Sequence, residues 1–288
     1  MLNFYSYQDC WNYFLSILPK NSCLNEDQKR DLIILCQTTP TNFRLNFSQK
    51  SLNLTNYRQI CRKIYQYQTK NIPAAYLNKE TYFYNAFFKI EKGVFIPQPD
   101  TETLLEKALK LINKYWKKPK KLKILEIGTG CGCLAICLAK NNLNWQITAI
   151  DISKRALKIA KKNVLLHQVK NIKIKKSNLF NSLKSKYNII ITNPPYIGEQ
   201  EYSELPFSTK QQPKKALIAK NNGYWFYEKI IQQAPKYLTK KFLIVMEIGF
   251  QQKEKVLKMI TEKYPQAKIK VFSDLSQNDR VISFFVKD

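Results

Sequence analysis

The spacing of apolar and polar positions divides the chain into two parts. Up to about residue 80, apolar residues recur at three- and four-residue steps, which predicts amphipathic helices. One of these helices begins at Asn25, a good N-cap residue followed by acidic residues. From residue 122 onward, short apolar runs alternate with helical stretches, and this alternation indicates a parallel sheet covered by helices.

The strands are expected where β-branched residues cluster, at 122–127, 146–151, 172–176, 187–192 and 241–247, with a late pair at 267–273 and 280–286. The helices of this part are expected at 131–141, 153–168, 223–238 and 251–263. Before them, "TYFYNAFFKIEKGVFIPQPDTE" is rich in β-forming residues, and a turn at Lys92-Gly93 predicts a hairpin. An amphipathic helix, "TETLLEKALKLINKYW", and a lysine-rich linker at 117–121 follow.

We therefore predict an α/β protein with three segments. The boundaries are a helical N-terminal domain at 1–80, a β-hairpin linker region at 81–100 and a doubly wound α/β domain at 101–288.

A glycine-rich turn joins the first strand of the α/β domain to a helix, in "KILEIGTGCGCLAICLAK". The chain has seven glycines, and Gly128, Gly130 and Gly132 lie within five residues of each other. Glycine at such a turn lets a ligand lie against the backbone near the positive end of a helix. A tight turn without a ligand has the same composition, so this motif alone leaves both interpretations open.

An acidic residue, Asp151, ends the second strand about 20 residues after the glycine turn. Its carboxylate can accept hydrogen bonds from the hydroxyl groups of a ribose. The alternative is that Asp151 or Ser153 caps the helix that follows. The turn and the acid together favour an adenosine-containing cofactor. The turn reads G-T-G-C-G after Glu126, and so is more similar to the nucleoside loop of S-adenosylmethionine-dependent methyltransferases than to a dinucleotide loop.

The fourth strand runs directly into Asn193-Pro194-Pro195-Tyr196, at the sheet edge where ligands bind in such folds. The Asn193 side-chain oxygen and the Pro194 carbonyl can together accept both hydrogens of a planar NH2 group. The prolines hold the backbone out of the strand ladder, and Tyr196 can lie flat against a planar substrate. This arrangement predicts methylation of an amide or of an exocyclic amine.

Charge and cysteine content change this interpretation little. The net charge of +27 is typical of nucleic-acid binding, but arginine, the usual residue for phosphate contacts, supplies only six of the 48 basic residues. Mutational bias toward A/T-rich codons and selection for an anionic partner both remain open explanations. The seven cysteines include Cys131, Cys133 and Cys137 close together, but the single histidine is distant, so we expect reduced thiols and no metal.

The motifs resemble those of the peptide chain release factor glutamine methyltransferases over about residues 72–286. The matching stretches are "IPAAYL", "GVFIPQPDTETLLE", "LEIGTGCG", "AIDISKRALKIAKKN", "ITNPPYI", "NGYWFYEKI", "MEIG" and "DLSQNDRV". The resemblance implies a Rossmann-like methyltransferase sheet, with the N-terminal helical domain docking the substrate. It also implies transfer of a methyl group from S-adenosyl-L-methionine to the side-chain nitrogen of the glutamine in the Gly-Gly-Gln motif of release factors.

The same resemblance assigns roles to individual residues. The cofactor-binding residues would be Gly128, Thr129, Gly130, Cys131, Gly132, Asp151, Asn178, Leu179 and Asn193. The catalytic residues would be Asn193, Pro194 and Tyr196, with Pro195 completing the glutamine pocket and Asp100, Thr101 and Glu102 closing one wall. Three residues depart from the family pattern: Gln98 replaces arginine, Asn178 replaces aspartate and Lys79 replaces glycine.

The expected partner is a release factor. Asn-Pro-Pro-Tyr also occurs in adenine amino-methyltransferases, so methylation of adenine N6 in RNA or DNA is the alternative. A flipped base needs further contacts that the sequence does not suggest, and we expect no stable nucleic-acid complex. Because no long apolar run and no signal peptide are present, we expect a cytoplasmic protein without membrane association. We also expect a monomer.

Overall fold

The computed structural model of the protein describes residues 4–18, 24–117 and 121–287. Most of the predicted lysine-rich linker, at 118–120, lies outside these residues. The described residues form two compact units. The first runs up to Lys92 and includes Pro206–Gln211, and the second comprises Gly93–Leu205 and the residues from Gln212 onward.

The first unit is mainly helical, as its apolar periodicity predicts. Its elements up to Lys92 are β1 (Phe4–Tyr5), α1 (Tyr7–Ile17), α2 (Glu26–Leu35), α3 (Pro40–Leu45), β2 (Leu52–Asn53), α4 (Leu54–Lys70), α5 (Ala74–Asn78), β3 (Glu80–Phe83) and β4 (Ala86–Lys89). Asn25 caps α2, and its Oδ1 accepts the Gln28 N–H at 2.8 Å. The apolar faces of α1, α2 and α4 bury Phe14, Leu35 and Ile64 completely, which gives this unit its own core.

Strands β3 and β4 form the predicted hairpin, but the chain reverses at Tyr84–Asn85 and not at Lys92-Gly93. Both residues of the reversal have positive φ angles, 45° and 59°. A two-residue hairpin turn requires this conformation, which asparagine adopts at little cost. The predicted position was wrong because glycine is the stronger turn signal, whereas Gly93, with φ of 90°, lies in a separate turn after β4.

The second unit contains a seven-stranded sheet with helices between its strands. The elements from residue 100 onward are α6 (Asp100–Trp116), β5 (Lys123–Ile127), α7 (Cys133–Asn141), β6 (Gln146–Asp151), α8 (Lys154–Leu166), β7 (Ile172–Lys176), β8 (Tyr187–Thr192), α9 (Glu199–Glu204), α10 (Phe207–Lys210, in the first unit), α11 (Lys214–Leu217), α12 (Trp225–Gln233), β9 (Leu238–Glu247), α13 (Lys253–Lys263), β10 (Lys268–Ser273) and β11 (Asp279–Lys287). A 3₁₀ turn, Ala234–Tyr237, follows α12.

The strand order is β10-β11-β9-β8-β5-β6-β7. Strands β5 to β9 pair in parallel, as the alternation predicts. Strand β11, of the predicted late pair, runs antiparallel to both of its neighbours, so the sheet is mostly but not entirely parallel. The reason is the connection of β10 to β11, which is too short for a helical crossover and allows only a hairpin.

The strands at the centre of the sheet are continuous apolar runs because both of their faces are buried. Ile190 of β8 and Ile244 of β9 are completely buried, because helices cover both faces of a parallel sheet. From β5, the chain adds β6 and β7 on one side and β8 and β9 on the other, which places a topological switch point between β5 and β8. Among the described helices, none combines the length and apolarity required to cross a bilayer.

Candidate active site

A cavity of about 490 Å³ lies at the carboxyl ends of β5, β6 and β8, next to the switch point. Its volume is in the usual range for a small-molecule site. The predicted site residues in its lining are Gly128, Thr129, Gly130, Cys131, Asp151, Asn178, Leu179, Asn193, Pro194, Pro195 and Tyr196. Thr101 also lines it. Three others, Gly132, Asp100 and Glu102, are not among the lining residues.

Two glycines of the loop between β5 and α7 lack a side chain for different structural reasons. A Cβ atom on Gly130 would meet no protein atom within 4 Å, and because this residue lines the cavity, a side chain would take up ligand space. A Cβ atom on Gly132 would lie 3.2 Å from the Cβ atom of Ala160, on α8. Gly132 therefore serves the packing of the loop, whereas Gly130 keeps the cavity open.

The backbone amides of this loop are largely occupied by the protein itself. Gly128 N–H and Thr129 N–H both donate to the Ile150 carbonyl oxygen at 2.9 Å. Gly130 N–H donates to Asp151 Oδ2 at 2.9 Å. A loop that binds pyrophosphate directs its amides at the ligand. The present loop instead offers a backbone surface against which an uncharged or cationic part of a ligand can lie.

Asp151 keeps acceptor capacity toward the cavity. Its Oδ1 accepts the Ser153 N–H at 2.8 Å in addition to the bond from Gly130. Helix capping is performed by Ser153, whose Oγ accepts the Ala156 N–H at 3.2 Å. Burial raises the pKa of Asp151, and the hydrogen bonds from the backbone oppose this rise. The Ile152 N–H is a third backbone donor to this carboxylate. Because a carboxylate has about four acceptor positions, one remains for a ligand.

The wall beyond β6 and β7 is partly apolar. Leu179 is buried and has a positive φ of 45°, and its carbonyl oxygen accepts the Ser177 hydroxyl at 2.7 Å. Asn178 is exposed and lines the cavity beside it. Sequence reasoning missed Ile152, a cavity residue that is 57% exposed. A large apolar residue directly after the acid at the end of a strand is the signal that could have found it.

Two separate hydrogen bonds fix the end of β8 and the side chain of Asn193. Thr192 Oγ1 donates to the Ile127 carbonyl oxygen at 2.8 Å, which ties the ends of β8 and β5 together. Asn193 Nδ2 then donates to Thr101 Oγ1 at 2.9 Å. Because Nδ2 is used in this way, Oδ1 is the atom of the amide that is left for a ligand.

The backbone of Tyr196 is held from behind by Gln252. Gln252 Nε2 donates to the Tyr196 carbonyl oxygen at 2.9 Å. Its Oε1 accepts the Gly249 N–H at 3.0 Å and the Tyr227 hydroxyl at 3.2 Å. These contacts give the residues after Pro195 one defined path along the cavity.

Glu247, at the end of β9, is a second residue that sequence reasoning left without a role. Its Oε2 accepts the Thr101 hydroxyl at 2.8 Å, and the residue is only 2% exposed. Burial raises the pKa of Glu247 to about 7, while the bond from Thr101 and the charge of Arg280 oppose the rise. An acid at the end of an apolar strand, in "MEIG", was the available signal.

The cysteines near the cavity are buried thiols. Cys131, Cys133 and Cys137 are each less than a tenth exposed. Burial raises the pKa of the Cys137 thiol to about 12, so it is not a nucleophile near neutral pH. In the part of the chain that the structure describes, no group of three or more histidine, cysteine or acidic residues is arranged to hold a metal.

Comparison with known proteins defines the class first. The methyltransferase small domain family matches residues 87–272. The hMettl16 catalytic domain, solved in complex with MAT2A 3′UTR hairpin 1, has the same fold, with a TM-score of 0.57 and 15% identity over 90% of this chain and 91% of that chain. The protein is therefore an α/β methyltransferase, as predicted.

Two relatives narrow the class further, and both are named release factor glutamine methyltransferase. The one from Buchnera aphidicola subsp. Schizaphis graminum (strain Sg) is 34% identical over 94% of this chain and 97% of its own length. The one from Streptococcus pneumoniae (strain ATCC BAA-255 / R6) is 33% identical over 81% of this chain and 82% of its own length. The chain belongs to the family of release factor glutamine methyltransferases, and S-adenosylmethionine is the methyl donor of this family.

Proposed function

We propose that this protein transfers a methyl group from S-adenosyl-L-methionine to the side-chain nitrogen, N5, of the glutamine in the Gly-Gly-Gln motif of peptide chain release factors. Family membership supports the reaction class. The observation that carries the substrate assignment is the orientation of the Asn193 amide, whose nitrogen is bound to Thr101 and whose oxygen is left for a ligand in the cavity.

The cavity fits the proposed methyl donor. The open space in front of Gly130 accommodates a ligand against the loop, and Asp151 retains an acceptor position for a ribose hydroxyl. Asn178, Leu179 and Ile152 would flank the adenine. When bound, S-adenosylmethionine supplies an electrophilic methyl group on a sulfonium sulfur.

The protein's part of the chemistry is to hold the acceptor amide. An amide nitrogen is a weak nucleophile because its lone pair is delocalised. Asn193 Oδ1 and the Pro194 carbonyl oxygen would accept its two hydrogens, and these acceptors stabilise positive charge that develops on the nitrogen. Tyr196 would lie along the plane of the amide and restrict its orientation. The amide proton can leave after the methyl group has moved, so this scheme needs no strong base beforehand.

Three parallel reactions with labelled cofactor test the proposal. The acceptors are a release factor, the same factor with its motif glutamine replaced by alanine, and total RNA. Label in the intact release factor alone supports the proposal. Label in the RNA would instead support adenine methylation, and equal labelling of both release factors would place the methyl group on another residue.

Asp151→Ala should weaken binding of S-adenosylmethionine at least tenfold. The substitution removes the proposed ribose acceptor and also the bond that holds Gly130, and a hydrogen bond to a charged group contributes about 1.5–3 kcal/mol. Isothermal titration calorimetry measures the Kd. The control is Asp279→Ala, which removes a carboxylate that pairs with Lys253 at 3.1 Å. An unchanged Kd in Asp151→Ala would contradict the assignment of the ribose site.

The helical N-terminal domain, 1–80, is proposed to dock the release factor, with the positive charge of the chain assisting. Exposed charges are screened by salt, so the Kd for the release factor should increase severalfold between about 50 and 300 mM salt. Surface plasmon resonance at constant pH measures this, with S-adenosylmethionine binding as the reference. A Kd that does not change with salt would show that the net charge of +27 has no part in docking.

Translation termination takes place on ribosomes, so a cytoplasmic location is part of the same proposal. We also propose that the enzyme acts as a monomer and forms no stable complex with nucleic acid.

A further inference from the structure

The hydrogen-bond chain behind Asn193 ends on a buried carboxylate that the proposed reaction does not use. Glu247 Oε2 accepts the Thr101 hydroxyl at 2.8 Å, and Thr101 Oγ1 accepts the Asn193 Nδ2–H at 2.9 Å. Glu247 and Thr101 are 2% and 3% exposed. The two bonds connect β9, α6 and the residues after β8, and they lead directly from a titratable group to the amide in the cavity.

The direction of these bonds depends on the ionisation of Glu247, because a hydroxyl group has only one hydrogen to donate. An ionised carboxylate can only accept. Thr101 must then donate to Glu247 and accept from Asn193. This places Asn193 Nδ2 against Thr101 and leaves Oδ1 for the ligand.

Protonation of Glu247 reverses the chain. Glu247 Oε1 lies 3.5 Å from the Tyr196 hydroxyl, which is too long for a good hydrogen bond, whereas Oε2 lies 2.8 Å from Thr101 Oγ1. The added proton is therefore best placed on Oε2, where it is donated to Thr101. Thr101 then donates to Asn193, whose amide turns so that Oδ1 faces Thr101 and Nδ2 faces the ligand.

We propose that ionised Glu247, acting through Thr101, is a positioning residue that keeps the Asn193 carbonyl oxygen directed at the NH2 group of the substrate. This inference rests on the proposed function, because it takes the ligand of Asn193 to be a hydrogen-bond donor. With Glu247 protonated, two NH2 groups would face each other and the acceptor for the substrate would be lost.

The surroundings of Glu247 set the pH at which this change occurs. The titratable or charged groups that face it are Asp100 on α6, Tyr196 after β8, Tyr227 on α12 and Arg280 on β11. Burial and the charge of Asp100 raise the pKa of Glu247, whereas the Thr101 bond and the charge of Arg280 lower it, and the result is about 7. Glu247 is thus ionised above neutral pH and protonated below it.

The test is the pH dependence of the single-turnover rate, which isolates methyl transfer from product release. The wild-type rate should fall about tenfold per pH unit below a pKa near 7. Glu247→Gln should have a rate independent of pH from about 6 to 8, since glutamine does not titrate. Its rate at pH 8 should be roughly fivefold lower than wild type, because its amide can present either atom to Thr101.

Two substitutions of Thr101 distinguish an effect of the hydrogen-bond chain on the rate from an effect of packing. Thr101→Ser keeps the hydroxyl group and should keep the fall in rate at low pH. Thr101→Val keeps the shape but breaks both bonds, and its rate should be at least tenfold lower at pH 8, without that fall. If Thr101→Val retains the wild-type rate and pH profile, the inference is wrong.

Glu126→Gln is the matched control. Glu126 is also buried, and its Oε2 accepts the Thr129 hydroxyl at 2.6 Å. Burial raises its pKa to about 8, but its bonds lead to Thr129 and to the Ala135 amide, not to Asn193. The fall in rate near pH 7 should therefore remain in Glu126→Gln. Its loss in this variant, or its persistence in Glu247→Gln, would overturn the inference.

A readout without turnover distinguishes this inference from the proposed function. The NMR signals of the Asn193 side-chain NH2 should shift with an apparent pKa near 7 in the wild type and should not shift in Glu247→Gln. If the wild type fails to methylate the release factor but these signals titrate as stated, the proposed function is wrong, and what stands is the control of the Asn193 amide orientation by Glu247. If methylation occurs and the signals do not titrate, the positioning role is wrong.

Discussion

Asn193→Ala is expected to lower the single-turnover rate of methyl transfer by a hundredfold or more, equivalent to about 3 kcal/mol of transition-state stabilisation. The substitution removes the oxygen proposed to accept a hydrogen of the substrate amide. Thr101 keeps its bond to Glu247, so the wall behind the cavity should remain in place. The effect on the rate should therefore exceed the effect on cofactor binding.

The matched control is Asn188→Ala, at the opposite end of the same strand. Asn188 Oδ1 accepts the Lys123 N–H at 2.9 Å, and its Nδ2 donates to Thr239 Oγ1 at 3.2 Å. Asn188→Ala therefore also removes an asparagine amide, but from within β8 and away from the cavity, and the rate should stay within about threefold of wild type. A near-normal rate in Asn193→Ala would mean that the acceptor amide is bound elsewhere.

Gly223→Ala is expected to have the second large effect, on both stability and rate. Gly223 has a φ of 91°, which is costly for alanine, and a Cβ atom there would lie only 2.1 Å from the Tyr196 carbonyl oxygen. The same Cβ atom would lie 2.6 Å from Gln252 Nε2, which holds that carbonyl oxygen. Strain and displacement together should lower the free energy of unfolding by about 2–5 kcal/mol.

Urea denaturation measures the change in stability, and the single-turnover rate should fall at least tenfold, because the path of Tyr196 along the cavity must move. Gly198→Ala is the control. Gly198 lies two residues after Tyr196 but lacks the positive φ of Gly223. The nearest atom to a Cβ added at Gly198 would be 3.5 Å away. Gly198→Ala should lower the free energy of unfolding by less than about 1 kcal/mol. Equal effects of the two substitutions would show that the clash at Tyr196 is not the cause.

The local motifs of the α/β domain could be recognised without the structure because each depends on neighbouring residues. An apolar run before Gly128, an acid at the end of the next strand and the polar tetrad after the fourth strand are all short-range patterns. Topology then brings the ends of these strands to one edge of a sheet. The predicted residues consequently line a single cavity, apart from Gly132, which serves packing, and Asp100 and Glu102.

The predicted turn position was wrong where two signals competed, and the sequence left one strand direction open where a connection decided it. The hairpin reverses at Tyr84–Asn85 because asparagine tolerates positive φ, although Gly93 is the more obvious turn residue. Strand β11 is antiparallel because of its short connection to β10. An apolar strand pattern carries no information on direction, so periodicity could not predict this orientation.

The sequence by itself determined the class of fold, the glycine-rich loop after β5 and the polar tetrad after β8, because these depend on period, turn chemistry and order along the chain. Only the tertiary structure decided what holds Asn193. Thr101 is 92 residues away from Asn193 in sequence, and Glu247 is 146 residues away from Thr101. Such contacts follow from the packing of α6 and β9 around the site, and no local pattern specifies them.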